Sequence, residues 1–261
     1  MTAPLVYLTG ASSGLGQALA LHYHRAGWRL ALVVRQPAKL QAWLAEQGLA
    51  GDRVAVYAAD VRHPEQVMAA GRACLAEHGL PDVVIANAGI SHGVDLAEPD
   101  DIAVLQAILD TNVTGLAATF QPFIGPMRAA RRGTLVGIAS VAGIRGLPGH
   151  AAYTASKAAV IQVCESLRVE LKAQGVRVVT LLPGYVDTPM TRGNPFPMPF
   201  LISAGQFAER AARAIAAGVS YRVIPWQMGV VGKLLRLLPD ALWDHVMVRA
   251  GRKPRAAPGE R

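Results

Sequence analysis

Apolar and polar positions fall into alternating blocks along the 261 residues. Six stretches, 5–9, 28–34, 53–59, 82–86, 133–140 and 176–182, are near-continuous apolar runs of strand length. That is the pattern of strands covered on both faces. Between them the spacing turns helical. Leu15, Leu19, His22 and Tyr23 share one side of a helix that ends near Gly27. Residues 39–47 repeat the pattern, and Pro64 opens the next helix at its first turn. Two longer helices follow over 98–130 and 151–174, the second ended by Gly175. Asn112, a poor helix former, stands inside the first and so has a local task. Strand and helix repeated in this order predict an α/β fold, a parallel sheet with helices on both faces. Ligands of such sheets bind beyond the carboxyl ends of the strands. Gly10, Arg35, Asp60, Asn87, Ser140 and Pro183 all fall at those ends.

Two of these positions, and one pair on the helix over 151–174, carry chemistry. After the first strand comes Gly10-Ala11-Ser12-Ser13-Gly14-Leu15-Gly16, then a helix. Glycines permit close backbone approach, and a helix N-terminus offers free N–H groups and a positive dipole end to a phosphate. The spacing is G-x3-G-x-G, not the common dinucleotide G-x-G-x-x-G. The second strand ends at Arg35, 19 residues past Gly16, where a dinucleotide fold commonly has an acid for the adenosine ribose. No acid is nearby, and an arginine there suits a 2′-phosphate, hence NADP(H) over NAD(H). Tyr153 and Lys157 are four apart, so on a helix they share a face. An ammonium beside a phenol is expected to lower its pKa, making Tyr153 a candidate general acid and base.

Composition narrows the classes. Half the residues are apolar and 17% are charged, enough for a large core and too little charge for long disordered regions. Part of the net charge of +8 is a C-terminal tail, Arg249, Arg252, Lys253, Arg255 and Arg261 against Glu260. No aromatic-plus-basic stripe of the nucleic-acid kind accompanies it, and no nucleic-acid partner is expected. Cys74 and Cys164 form no CxxC and read as reduced thiols. No uninterrupted apolar run reaches a membrane span, and Met1-Thr2-Ala3-Pro4 leads straight into a strand with no room for a signal peptide. A cytoplasmic protein is the expectation.

Taken together, Thr9-Gly10-Ala11-Ser12-Ser13-Gly14-Leu15-Gly16, Asp60, Asn87-Ala88-Gly89, Asn112, Ser140, Tyr153 with Lys157, and Pro183-Gly184 with Thr188 resemble the short-chain dehydrogenase/reductase family over roughly residues 4–224. The resemblance implies a three-layer Rossmann-like fold with a seven-stranded sheet and NAD(P)-linked oxidation or reduction. It implies that Ser140 hydrogen-bonds the substrate oxygen and Tyr153 transfers its proton. Lys157 would lower the Tyr153 pKa and hold the nicotinamide ribose, and Asn112 would hold a water on the proton path. Asp60 and Val61 would contact the adenine, Asn87-Ala88-Gly89 would support the adenosine side, and Val186 and Thr188 would meet the nicotinamide amide. Ala86-Asn87 departs mildly from the two asparagines of many members. A homodimer or homotetramer built on 98–130 and 151–174 would follow. No metal is expected.

The substrate end is more individual. Segments 90–97, 141–150 and 185–207 should face substrate. Pro195-Phe196-Pro197-Met198-Pro199-Phe200-Leu201-Ile202 reads either as a lid over a lipophilic carbonyl or alcohol or as core packing. The oxidoreductase domain is assigned to 1–225 and an amphipathic helical extension with a basic tail to 226–261. In that extension Trp226, Val230, Val231, Leu234, Leu235 and Leu238 recur at helical spacing, with Lys233 and Arg236 assigned to the other side. It would lie on the inner face of a membrane, or cap the pocket or a dimer. The reading is an NADPH-dependent reductase of a lipophilic ketone or aldehyde, reversible as an alcohol dehydrogenase. A catalytically silent NADP(H)-binding regulatory or scaffold protein is the alternative.

Overall fold

The computed structural model describes residues 2–49, 51–249 and 251–255. The first five strands are β1 (Leu5–Thr9), β2 (Arg29–Val34), β3 (Val54–Ala58), β4 (Val83–Ala86) and β5 (Thr134–Ile138). With β6 (Arg177–Pro183) and β9 (Tyr221–Ile224) they form one parallel seven-stranded sheet, ordered β3-β2-β1-β4-β5-β6-β9. The order reverses between β1 and β4, which opens a crevice at their carboxyl ends. Two further two-residue strands, β7 (Val186–Asp187) and β8 (Ile202–Ser203), pair with each other over that edge.

Helices α1 (Gly14–Arg25), α2 (Pro37–Glu46), α3 (Pro64–His78), α4 (Asp101–Leu109), α5 (Gly115–Ala130) and α6 (Ala151–Lys172) connect the first six strands. Then come α7 (Pro189–Arg192), α8 (Ala204–Ala216), α9 (Trp226–Leu237) and α10 (Asp240–Met247). Alternate side chains of each strand feed two cores. Leu8, Leu32 and Ile85 meet Leu19 of α1 and Phe207 of α8 on one face. Tyr7, Val84 and Leu135 meet Phe120 and Phe123 of α5 and Val160 of α6 on the other. That is the three-layer Rossmann-like fold.

Three differences from the sequence reading have physical causes. The helix expected over 98–130 starts at Asp101, and Asp110–Thr114 forms one π-helical turn inside it. There the Thr111 hydroxyl donates to the Ala107 carbonyl at 2.7 Å, and Asn112 turns inward. Together, Asp101–Ala130 is long and apolar enough by composition to cross a membrane, yet it packs in the core through Leu116, Phe120, Phe123 and Met127. Strand β9 adds to the six apolar runs of the sequence, because an edge strand with exposed Tyr221 and Arg222 lacks the apolar pattern of the central strands. Lastly, α9 is apolar on two sides. Met228 and Gly232 are buried, while Trp226, Val230, Leu234 and Leu237 are exposed. Lys233, expected on the opposite side, falls between Val230 and Leu237 on that outer face, at i+3 and i+4 spacing.

Candidate active site

A cleft of about 430 Å³ runs along the carboxyl ends of the strands. β1 leads into a turn at Gly10, whose φ is +73°. A side chain there would press within 2.7 Å of the Ala88 backbone, so glycine alone lets the turn lie against Asn87-Ala88. Gly16 approaches closely too, and a Cβ on it would collide with the Gly10 carbonyl. Asn87 braces the turn. Its Nδ2 donates to the Thr9 and Gly10 carbonyls, both at 3.1 Å, and its N–H donates to Thr9 Oγ1 at 3.2 Å. No side chain caps α1 at Ser13 and no acid occupies its first turn. The N–H groups and positive dipole end of α1 are thereby offered to an anion in the cleft that Ser12, Ser13, Gly14 and Leu15 line.

At one end of the cleft stand Arg35, Asp60, Val61 and Arg62. Arg62 holds the Asp60 carboxylate through Nη2 at 2.7 Å and Nε at 3.1 and 3.2 Å. Partial burial works to raise the Asp60 pKa, but the Arg62 hydrogen bonds and the Arg62 and Arg35 charges bring it below the usual carboxylate range. The result is a basic rim with its one acid already paired.

At the other end, β5 delivers Ser140 and α6 delivers Tyr153 and Lys157. Ser140 Oγ accepts from the Ala142 N–H at 3.1 Å, which caps a short 3₁₀ turn at Val141–Gly143 and fixes the hydroxyl. Lys157 is buried, and its Nζ donates to the Ile138 carbonyl at 2.8 Å, 5.8 Å from the Tyr153 ring centre. Burial brings its pKa down to about 8. The Tyr153 phenol differs from expectation. Burial pushes its pKa up, and the neighbouring Ser140 hydroxyl opposes that only in part. Desolvation disfavours phenolate and ammonium alike, and it sets the direction of both shifts.

All expected site residues line the cleft except Gly16 and Asn112. Gly16 acts through packing. Asn112 lies behind the cleft wall, where its Oδ1 accepts from the Ile90 N–H at 2.9 Å. Its Nδ2 donates to the Ile90 carbonyl at 3.0 Å and to Ser156 Oγ at 2.9 Å. That amide locks the strand β4 exit to α6. Arg62, Met190 and Thr191 also line the cleft and were not singled out from sequence. Arg62 had a legible signal, two residues past the strand-end acid.

A second cavity, about 170 Å³ and mostly apolar, joins the first at Ser140, Tyr153, Gly184, Met190 and Thr191. Phe196 lines it and meets the His150 ring edge-on at 6.0 Å and the Tyr185 ring at a tilt at 6.4 Å, whereas Phe200 and Leu201 are exposed. Val231, Leu235 and Trp243 close it from α9 and α10. Arg145 stacks on Trp243 at 4.5 Å and donates to the carbonyls of Leu235 and Leu238, which ties both helices to the pocket. The described part of the extension is therefore a pocket wall.

The glycine cradle, the uncapped helix start and the buried Lys157 at the far end fit a nicotinamide dinucleotide. The family model described as short chain dehydrogenase matches residues 4–195. The chain belongs to the short-chain dehydrogenase family. An uncharacterized oxidoreductase of Myxococcus xanthus (strain DK1622) is 42% identical over 91% of this chain and 93% of the relative. A cis-4-hydroxycyclohexanecarboxylate dehydrogenase of Sinomonas cyclohexanicum is 31% identical over 87% and 92%. Among solved structures, a short chain dehydrogenase of Burkholderia cenocepacia J2315 in complex with NADP has a TM-score of 0.80, with 25% identity over 95% of this chain and 98% of that one. A 3-ketoacyl-(acyl-carrier-protein) reductase of Brucella melitensis complexed with NADH has a TM-score of 0.74 and 28% identity over 85% and 96%. This short-chain dehydrogenase is thus an NAD(P)-dependent oxidoreductase acting on CH–OH or carbonyl groups.

Proposed function

We propose that the protein is an NADPH-dependent reductase of a small, largely apolar ketone or aldehyde, reversible as an alcohol dehydrogenase, with Tyr153 as the general acid and base. One observation carries this reading: the nucleotide cleft and the apolar cavity meet at Ser140 and Tyr153. A carbonyl oxygen between those two hydroxyls would have its developing negative charge met by two donors. The cofactor supplies the hydride when bound. Ser140 orients the carbonyl and Tyr153 donates its proton to the oxygen. A phenol whose pKa is raised is protonated at neutral pH, the form that donates to the carbonyl oxygen in reduction. Lys157 would bind the ribose side of the cofactor and supply positive charge beneath the phenol. Asn112 would fix Ile90 and α6, and through them the water on the proton path. The preference for NADPH is supported by Arg35 and Arg62 on a rim whose one acid is already held.

The test is NADPH consumption across a panel of apolar ketones and aldehydes, with NADH run in parallel. Turnover of at least one carbonyl, faster with NADPH, is the expected result. No turnover of any with either cofactor would overturn the proposal.

The proposal extends to location, the cytoplasm and the inner face of a membrane. Its support is the exposed apolar face of α9 and α10, formed by Trp226, Val230, Leu234, Leu237, Leu242 and Val246, with Lys233, Arg236 and Arg249 exposed beside it.

A further inference from the structure

Residues 251–255 leave α10 and run back across the substrate side of the site. The Pro254 carbonyl accepts from the Gly93 N–H at 2.9 Å, and Gly93 pairs with Arg255 as a parallel bridge. A Cβ on Gly93 would collide with the Lys253 carbonyl, so glycine is what lets the strap pass. Arg255 bolts it down, with Nε at 2.8 Å and Nη2 at 3.0 Å from the buried Asp101 carboxylate. The bolted strap places Lys253 in the wall of the apolar cavity.

Among the described residues no aspartate or glutamate lines that cavity; its charged or chargeable nitrogens are Arg145, His150 and Lys253. Arg145 is already engaged with two carbonyls, Asp240 and the Trp243 ring. His150 is buried and hydrogen-bonded to the Pro148 carbonyl, and its burial together with the Lys253 charge keeps it neutral near pH 7. Lys253 differs from both. Among the described residues its Nζ donates once, to the Met190 carbonyl at a long 3.4 Å, and no carboxylate pairs with it. An ammonium has three donors, so this one retains capacity for an anion. Partial burial lowers its pKa, the mark of a charge short of compensation. A partly desolvated cation in an acid-free apolar pocket is costly alone and is offset by an opposite charge.

We propose that Lys253 is the anion-binding residue of the substrate pocket, and that the substrate is an apolar carbonyl compound carrying a carboxylate apart from the reacting group. The inference rests on the reductase reading of the same pocket and narrows its substrate class to oxo-acids and their hydroxy-acid products. Lys253 is a specificity residue that lies beyond the stretch matched by the family model.

The test is isothermal titration of the full chain, saturated with NADP⁺, with hexanoate and cyclohexanecarboxylate and with their primary amides. Each amide matches its acid in shape and lacks the charge. In the wild type each acid should bind at least ~10-fold more tightly than its amide. Lys253→Met should bring that ratio to within about 2-fold, Lys253→Arg should keep it, and NADPH affinity should be unchanged in both. Acids that bind no better than amides to the wild type would overturn the proposal, whether or not the variant folds. A preference that survives Lys253→Met would do the same. A chain that binds the acids yet reduces no oxo-acid with NADPH would overturn the reductase reading and leave the anion site standing.

Discussion

Lys157 Nζ stands 5.8 Å from the centre of the Tyr153 ring and is anchored 2.8 Å from the Ile138 carbonyl at the end of β5. The pair is held by the sheet and not by a surface loop, so the phenol keeps a fixed place at the junction of the two cavities. Removing only the hydroxyl is the direct probe of the mechanism. Tyr153→Phe should leave NADPH affinity unchanged and cut turnover by about 10²–10⁴-fold, the usual worth of a positioned proton donor. Steady-state kinetics alongside a fluorescence titration of NADPH would check it. Near-native turnover in this variant would end the Tyr153 assignment.

Lys157 also sets a pH dependence of stability. Its pKa falls from 10.5 to about 8 on folding. Between those values the unfolded chain holds a proton that the folded chain has released, so the contribution of this residue to stability rises with pH. Below about pH 8 the buried charge costs about 3 kcal/mol at most. Relative to wild type, Lys157→Met should therefore fare best near pH 7 and progressively worse as pH climbs towards 10. The Ile138 carbonyl loses its donor in the variant at every pH, which changes the offset but not the slope. Urea midpoints of both proteins across about pH 6–10 would show it, and a pH-independent difference would contradict it.

Arg35 and Arg62 divide the cofactor rim between them. Arg62 is committed to Asp60, while Arg35 makes no ion pair among the described residues. Arg35→Ala should weaken NADPH by about 1.5–3 kcal/mol, as loss of a charged hydrogen bond does, and leave NADH nearly unchanged. Arg62→Ala should additionally release the Asp60 carboxylate and move the preference towards NADH. Binding titrations with both cofactors decide the matter. Equal losses for NADPH and NADH in Arg35→Ala would remove the basis for a 2′-phosphate site.

The order of strands and the chemistry at their ends were legible because central strands are covered on both faces and read as apolar runs. Gly10, Asn87, Ser140 and Pro183 could be placed on one edge for that reason alone. What escaped was set by contacts distant in sequence. The raised Tyr153 pKa depends on desolvation in the folded cleft, which the spacing of Tyr153 and Lys157 does not encode. Asn112 announced a local task, but its partner Ile90 lies 22 residues away. Ser203 and Gln206 did carry a readable capping signature for α8, with Ser203 Oγ accepting from the Gln206 N–H at 3.1 Å and the Gln206 side chain returning to the Ser203 N–H at 3.0 Å. Helix α8 begins inside 185–207, the stretch assigned to the substrate side, and the signature marks where that stretch turns helical. Arg261 and Glu260 of the expected basic tail lie outside the described residues.

The outer face of α9 and α10 gives the last prediction. The inner face of α9 is committed to the pocket, so the exposed Trp226, Val230, Leu234 and Leu237 are surplus to the needs of the core. An apolar stripe of this size on a basic protein suits an interface between bilayer and water. Each Lys or Arg close to an anionic surface is worth about 1 kcal/mol, falling with salt. Lys233, Arg236 and Arg249 are exposed near the stripe, and together they would give reversible attachment without insertion. Deleting the extension would open the pocket, so point changes are the cleaner probe. Sedimentation with vesicles of phosphatidylglycerol and phosphatidylcholine should carry the wild type down at low salt and release it at high salt. Trp226→Ser with Leu234→Ser should abolish sedimentation and leave NADPH affinity intact. A wild type that stays in solution with anionic vesicles at low salt would defeat the membrane proposal. Dimer dissociation in the double variant, by analytical ultracentrifugation, would reassign the face to a second copy of the chain.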